Sequence, residues 1–147
     1  MADPDCRFCA IVAGDEESHV VYEDETSLAF LDHRPLFPGH SLLVPREHHE
    51  TLADLPREML APYFGAAQLL SRAIPEAMEK PGSFVAMNNV VSQSVPHVHC
   101  HVVPRRRKDG LRGFFWPRRK YDSEDHMAEV AELIRSTIAA LGGDARP

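Results

Sequence analysis

The chain has 147 residues, of which 44% are hydrophobic and 26% charged, and its formal net charge is -6. This length predicts a single domain over residues 1–147 that buries roughly two thirds of its unfolded surface without a disulfide scaffold, and the negative charge argues against general nucleic-acid binding. No apolar stretch approaches the roughly 18 residues of a membrane span, and the acidic first residues are unlike a signal peptide, so we expect a cytoplasmic protein with no membrane or nucleic-acid partner.

Two of the three cysteines form the first motif of the chain, Cys6-Arg7-Phe8-Cys9. In a reducing compartment this spacing favours metal binding or redox chemistry over a structural disulfide. Both interpretations stay open on spacing alone.

Three strands and a long helix follow in the first half of the chain. Residues 20–22 and 27–31 are predicted to form two short strands joined as a hairpin by the acidic turn Glu23-Asp24-Glu25, and residues 41–44 to form a third strand. Asp54 as cap and Pro56 in the first turn predict a helix that runs to Ile74 and stops at Pro75.

The second half predicts two further strands and a final helix. Residues 84–87 form a strand, residues 88–94 a polar loop, and the histidine run 97–103 an antiparallel neighbour. Ser123 is the predicted cap of a helix that ends at Gly142-Gly143. One side of this helix carries an apolar stripe, which indicates packing on the core. The stripe comprises Met127, Val130, Ile134, Ile138 and Leu141. The fold class is α+β, an antiparallel meander with one long mid-chain helix and a C-terminal helix.

The most informative segment is His97-Val98-His99-Cys100-His101-Val102-Val103, in which three histidines alternate with apolar residues. On a strand this spacing places the three imidazoles on one face and the residues between them in the core. Imidazole exchanges protons near neutral pH and is a competent nucleophile toward phosphorus. Gln93 and Ser94, just before the run, can donate hydrogen bonds to phosphate oxygens.

The same histidines can bind a metal ion. Cys6 and Cys9 supply two thiolates, and either His48 or His49 adds an imidazole, so that a tetrahedral Cys₂His₂ site would still leave other histidines of the run free for catalysis.

The histidine run resembles the signature of the histidine triad family of nucleotide hydrolases and transferases. Similarity extends to segments spread over most of the chain, which include residues 6–11, 28–32, 38–40, 44–48, 93–105 and 113–116. The resemblance implies that His99 is the nucleophile that attacks an α-phosphate, that His101 hydrogen-bonds the phosphate, and that Ser94 contacts phosphate oxygens or helps to protonate the leaving group.

The family pattern further implies a purine-nucleotide pocket. Asp32 corresponds to the carboxylate that binds the ribose hydroxyls in the family, and Asn88 and Gln93 correspond to amides on the phosphate side. The wall of the base pocket would consist of Phe8, Ile11, Phe30 and Leu31. A structural Zn²⁺ would be held by Cys6, Cys9, His48 and His97. The resemblance also implies a homodimer, in which the segment around Trp116 reaches the partner's site.

The loop before the histidine run departs from the family pattern. Val90-Val91-Ser92 replaces a glycine-rich stretch and is shorter, which bears on how closely the backbone approaches the phosphate. The leading hypothesis is a hydrolase or transferase that acts on nucleoside phosphoramidates, mixed anhydrides or dinucleoside polyphosphates through a nucleotidyl-histidine. The alternatives are a purine-nucleotide-binding regulatory module with little turnover, and a zinc-organised interaction domain.

Overall fold

A computed structural model describes residues 2–112 and 119–141 of the chain. The chain divides into two compact units, Met1–Asp109 and Gly110–Pro147. The motif around Trp116 and the glycine pair at 142–143 lie outside the described residues, so the predictions made for them stay predictions.

The first unit is a five-stranded antiparallel sheet with two α-helices. Its elements are α1 Arg7–Ala13, β1 Val20–Glu23, β2 Ser27–Leu31, β3 Ser41–Pro45, a 3₁₀ turn Leu52–Asp54, α2 Arg57–Ala77, β4 Gly82–Ala86 and β5 Cys100–Arg105. The strand order is β1-β2-β3-β5-β4. The predicted α+β class is confirmed, and β5 lies between β3 and β4 because the chain crosses over through α2 before it forms the edge strand.

The two faces of the sheet carry different cores, as period-two alternation requires. On one face α2 covers a cluster that includes Leu43, Tyr63 and Leu70. On the other face α1 packs through Phe8 and Ile11 against a cluster whose sheet residues are Leu28, Phe30, Leu42 and Val44. The second face therefore joins the cysteine motif to β2 and β3.

Helix α2 begins and ends differently from the sequence prediction. Thr51 takes the cap position of the 3₁₀ turn, and Asp54 is the third residue of that turn, whose carboxylate accepts the Thr51 N–H at 2.9 Å. Pro56 takes the cap position of α2. Pro75 lies inside the last turn, because the backbone continues to a final bond from Met78 N–H to the Ile74 carbonyl. A proline near a helix end removes one donor without stopping the turns around it.

Strand β5 begins at Cys100, so only His101 of the three histidines lies inside a regular strand. The backbone N–H of His97 donates to the Val95 carbonyl and that of Val98 to the His49 carbonyl, which takes these donors away from β3. The alternation still holds at the side chains, since Val98, Cys100 and Val102 are buried in the α2 core as predicted.

The second unit contains α3, Glu124–Ala140, with Ser123 as the predicted cap: its hydroxyl accepts from the His126 N–H at 3.0 Å. No residue of α3 is buried by the described residues of its own unit, and the prediction that its apolar stripe packs on the core stays a prediction. No helix among the described residues combines the length and apolar character that a membrane span needs.

Candidate active site

One cavity of about 590 Å³ opens on the α1 face of the sheet beside the histidine run. Its lining includes many of the residues predicted for the nucleotide site, namely Phe8, Ile11, Phe30, Leu31, Asp32, Ser94, His99 and His101. The elements that bring them together are α1, β2 and the start of β5. Polar side chains outside the prediction, among them Arg7, Glu17, His19 and Arg34, also line it.

His99 presents a free ring nitrogen to this cavity. Its Nδ1 lies 2.8 Å from the carbonyl oxygen of His97. A carbonyl only accepts, so Nδ1 carries the proton and Nε2 holds an unshared electron pair. No atom of the described residues forms a hydrogen bond with Nε2, and the ring lines the cavity. The backbone therefore fixes His99 in the tautomer that a nucleophile requires.

His101 is oriented by a fourth histidine, His40, which is 3% exposed. The Leu36 N–H donates to His40 Nδ1 at 3.0 Å, and His40 Nε2 lies 2.9 Å from His101 Nδ1. With Nδ1 occupied as an acceptor, neutral His40 carries its proton on Nε2 and donates it to His101. His101 then holds its own proton on Nε2, so this ring can serve as a donor toward a bound phosphate.

Burial keeps both relay histidines neutral. Removal from water lowers the pKa of His101 to about 4, and the neighbouring His99 and His40 rings act in the same direction. Burial also lowers the pKa of His40, against the opposing attraction of the Asp32 carboxylate 3.7 Å away. At neutral pH the tautomers of His40 and His101 are therefore those of uncharged rings.

His40 is the functional candidate that sequence reasoning missed. It lies 61 residues from His101 in the chain, so the alternation within the histidine run gives no hint of it. The available signal was its position directly ahead of β3, the strand that pairs Leu42 with His101. Gly39 before it has φ +94°, and a Cβ there would lie 2.7 Å from Met78 Cγ, so this turn requires glycine.

Asn88 and Gln93 do not line the cavity. The Gln93 amide N–H donates to the Glu50 carbonyl at 2.6 Å, and its oxygen accepts the Val90 N–H at 2.7 Å. The Asn88 amide donates to the Ser92 carbonyl at 3.2 Å. In this conformation both side chains hold the loop together, while Ser94 reaches the cavity.

A second cluster, next to the cavity, brings together the four predicted metal ligands, Cys6, Cys9, His48 and His97, whose ligand atoms lie within 4.8 Å of one another. His97 Nδ1 is 3.5 Å from Cys6 Sγ and 3.6 Å from Cys9 Sγ, and His48 Nδ1 is 3.4 Å from Cys9 Sγ. His48, not His49, belongs to this group.

The donor chemistry of the cluster fits a soft tetrahedral cation. His97 Nε2 donates to the Pro45 carbonyl at 2.9 Å, so its Nδ1 faces the sulfurs with a free electron pair. Cys6 and Cys9 are free thiols rather than a disulfide. Two thiols and two imidazole nitrogens form the ligand set that Zn²⁺ takes in structural sites.

Asp32, His40 and His101 also lie close together, but they do not suit a cation. Metal binding at His40 Nε2 would require the proton on Nδ1, where the Leu36 N–H already donates. This group is better described as a hydrogen-bonded relay.

Comparison with known proteins agrees with the geometry. Residues 13–108 match the model of the HIT domain. The chain belongs to the histidine triad, or HIT, family. Its similarity to the "Protein hit" of Bacillus subtilis is 39% identity over 136 residues, covering 91% of this chain and 92% of that protein.

Two other HIT relatives carry activities in their names. The adenylylsulfatase HINT3 of Arabidopsis thaliana is 36% identical over 142 residues, which cover 93% of this chain and 71% of that protein. The adenosine 5'-monophosphoramidase HNT1 of Saccharomyces cerevisiae is 33% identical over 144 residues, which cover 96% of this chain and 85% of that protein.

Solved structures show the same HIT fold. SMU.412c from Streptococcus mutans superposes with a TM-score of 0.84 at 35% identity, and the match covers 92% of this chain and 87% of the chain of SMU.412c. A Zn-bound histidine triad family protein from Mycobacterium smegmatis superposes with a TM-score of 0.69 at 38% identity, and the match covers 90% of this chain and 97% of that one.

Proposed function

We propose that this protein is a nucleotide hydrolase or transferase that cleaves at the α-phosphate through a covalent nucleotidyl-His99. Its substrates are purine nucleoside phosphoramidates, mixed anhydrides or dinucleoside polyphosphates. The observation that carries the proposal is the tautomer of His99, whose Nδ1–H is bound by the His97 carbonyl so that Nε2 faces the cavity with its electron pair free. The named activities of the two relatives, on an adenylyl sulfate and an adenosine phosphoramidate, are consistent with it.

In the first step His99 Nε2 attacks the α-phosphorus. A P–N bond forms and the bond to the leaving group breaks. The leaving group takes the electron pair and a proton that reaches it from solvent through the Ser94 hydroxyl. His101 donates from Nε2 to the phosphate oxygens, where negative charge accumulates in the transition state. Ser94 at the cavity wall supplies a second hydroxyl donor for the phosphate or leaving group.

In the second step water attacks the same phosphorus. The P–N bond breaks, the electron pair returns to Nε2, and nucleoside monophosphate leaves while the proton lost by water passes to solvent. With an alcohol or phosphate in place of water the same step is a transfer.

The nucleoside lies on the apolar part of the cavity. Phe8 and Phe30, whose ring centres are 5.4 Å apart, form the base wall with Ile11 and Leu31. Such a wall accepts adenine and guanine alike. Asp32 faces the ribose, because its two carboxylate oxygens suit a vicinal diol.

Substitution of the nucleophile tests the proposal. His99→Gly should abolish multiple turnover of adenosine 5'-phosphoramidate while AMP still binds, and the matched His126→Ala, on α3, should behave as the parent. Pre-steady-state kinetics of the parent should show a burst of leaving group. Sustained turnover by His99→Gly would contradict the assignment, and the absence of both burst and turnover in the parent would favour a regulatory nucleotide-binding module.

The Cys₂His₂ cluster holds one structural Zn²⁺ per chain in this proposal. Zn²⁺ is redox-inert and would organise the four side chains without entering the reaction. The free thiols of Cys6 and Cys9 fit the reducing cytoplasm, where we place the protein. Elemental analysis of the purified protein should find zinc at one equivalent; its absence, with unfolding unchanged by a chelator, would reject the site.

We also propose a homodimer. Strand β4 is an edge of the sheet, and it exposes Val85 at 43%; helix α2, which packs on the same sheet, exposes Phe64 at 41%. Exposed edges and apolar side chains are commonly covered by a second chain. Light scattering should give twice the mass of one chain.

A further inference from the structure

The N-terminal segment, residues 2–16, is joined to the sheet by polar contacts at one place. Within the described chain these contacts run from Cys6 and Cys9 to His97, from Cys9 to His48, and from Asp3 to His48 at 3.9 Å. The other hydrogen bonds of the segment are internal, including the Arg7–Glu16 ion pair at 2.6 Å. Polar attachment of this segment therefore passes through the metal ligands.

The same segment builds one side of the nucleotide cavity. Helix α1 has seven residues, too few for a helix to be stable without tertiary contacts. Its Phe8 and Ile11 line the cavity, and the Phe8 ring centre lies 5.2 Å from that of His99. Displacement of α1 would remove the base wall and a neighbour of the nucleophile together.

His97 forms a second connection between the cluster and the cavity. Its ring faces the two sulfurs, and its carbonyl accepts the His99 Nδ1–H at 2.8 Å. One buried residue thus contributes a ligand atom on one side and fixes the nucleophile's tautomer on the other.

We propose that the four ligands are positioning residues for nucleotide binding: a cation held by Cys6, Cys9, His48 and His97 fastens α1 to the sheet and so sets the affinity of the cavity for a nucleotide. Metal occupancy and nucleotide affinity are then thermodynamically coupled, and the coupling is reciprocal. This inference rests on the proposed nucleotide site.

Binding measurements on the full chain test the coupling in both directions. Isothermal titration calorimetry should find AMP binding at least about tenfold weaker after zinc is removed by a chelator. In competition with a chromophoric chelator, saturating AMP should tighten zinc binding by the same factor. Hydrogen exchange should show that the α1 amides lose protection without zinc while β2, β3 and β5 keep theirs.

Adjacent histidines give a matched pair of variants. His48→Ala removes a ligand and should weaken AMP binding as zinc removal does, whereas His49→Ala, one residue away and outside the cluster, should retain zinc and AMP affinity. His48→Cys should restore both, because the Nδ1 ligand atom lies near Cβ and a cysteine sulfur can replace it. This rescue separates loss of the cation from a folding defect.

The outcomes are distinguishable. Equal AMP affinity with and without zinc would overturn the coupling and leave the proposed function intact. Unfolding of the whole chain on zinc removal would also overturn it, since the cation would then stabilise the sheet rather than the pocket wall. No AMP binding by the zinc-loaded protein would overturn the proposed function and this inference with it.

Discussion

At the scale of single residues, the chemistry of the site depends on which ring nitrogen carries a proton. A backbone acceptor, the His97 carbonyl, decides this for His99, and a backbone donor, the Leu36 N–H, decides it for His40 and through it for His101. Backbone groups are fixed by the fold and do not titrate. In the proposed reaction the two rings therefore keep complementary roles, His99 as electron-pair donor and His101 as hydrogen-bond donor.

Removal of the relay histidine tests this arrangement. His40→Ala leaves His101 Nδ1 without a donor, while His101 itself remains in place. We therefore expect kcat to fall roughly 10- to 100-fold, at or below the lower end of the range of about 10²–10⁴ for loss of a positioned proton donor itself, while AMP affinity changes little. His40→Gln should recover part of the loss, because its amide nitrogen lies near the position of Nε2. Equal loss in both variants, or loss confined to KM, would contradict the relay.

At the scale of elements, the loop 88–94 shows how a glycine-free segment takes up left-handed backbone conformations. Val90 and Ser92 adopt positive φ values of 68° and 61°. These conformations are strained for residues with a side chain, and most of all for a β-branched one. Hydrogen bonds of the Gln93 side chain to Val90 and Glu50, and of the Asn89 side chain to the Leu52 N–H, hold the loop in place.

Glycine substitutions at two neighbouring valines test whether the loop is strained. Val90→Gly should stabilise the protein by about 0.5–1 kcal/mol, because relief of the left-handed conformation exceeds the entropy that glycine adds to the unfolded chain. Val91→Gly, equally exposed but without a positive φ, should be neutral or destabilising. Denaturant unfolding of the two variants makes the comparison; a lower stability for Val90→Gly than for Val91→Gly would show that the loop is not strained.

Helix predictions failed where an end depends on tertiary contacts, as at α2, which was predicted to stop at Pro75 and continues to Ala77. Strand β2 was predicted at its observed bounds, Ser27–Leu31, because its short apolar run and the acidic turn before it specify it locally. Helix α3 forms as predicted, while what covers its apolar stripe stays a prediction. A helical period determines which face is apolar and does not determine what covers it.

At the scale of the whole molecule, buried neutral histidines make stability depend on pH. The pKa of His101 is about 4 in the fold against about 6.5 in an unfolded chain, so the unfolded state binds more protons between these values. The contribution of His101 is complete above about pH 6.5 and is lost as the pH falls toward 4.

Unfolding by urea at several pH values tests this dependence. The free energy of unfolding should fall between pH 6.5 and 4, with His101 contributing up to about 1.4 kcal/mol per pH unit. His101→Gln should show a shallower decline over the same interval, because it removes one titrating group. Identical pH profiles for parent and variant would show that His101 is protonated equally in both states.

The sequence by itself determined the α+β class, the alternation of core and functional residues along the histidine run, and the family. These follow from local periodicity and a compact motif. Tertiary structure decided that His97 and His99 precede the strand, that His48 rather than His49 joins the cysteines, and that His40 donates to His101. Contacts between residues distant in the chain depend on strand order and loop path, which no local pattern encodes.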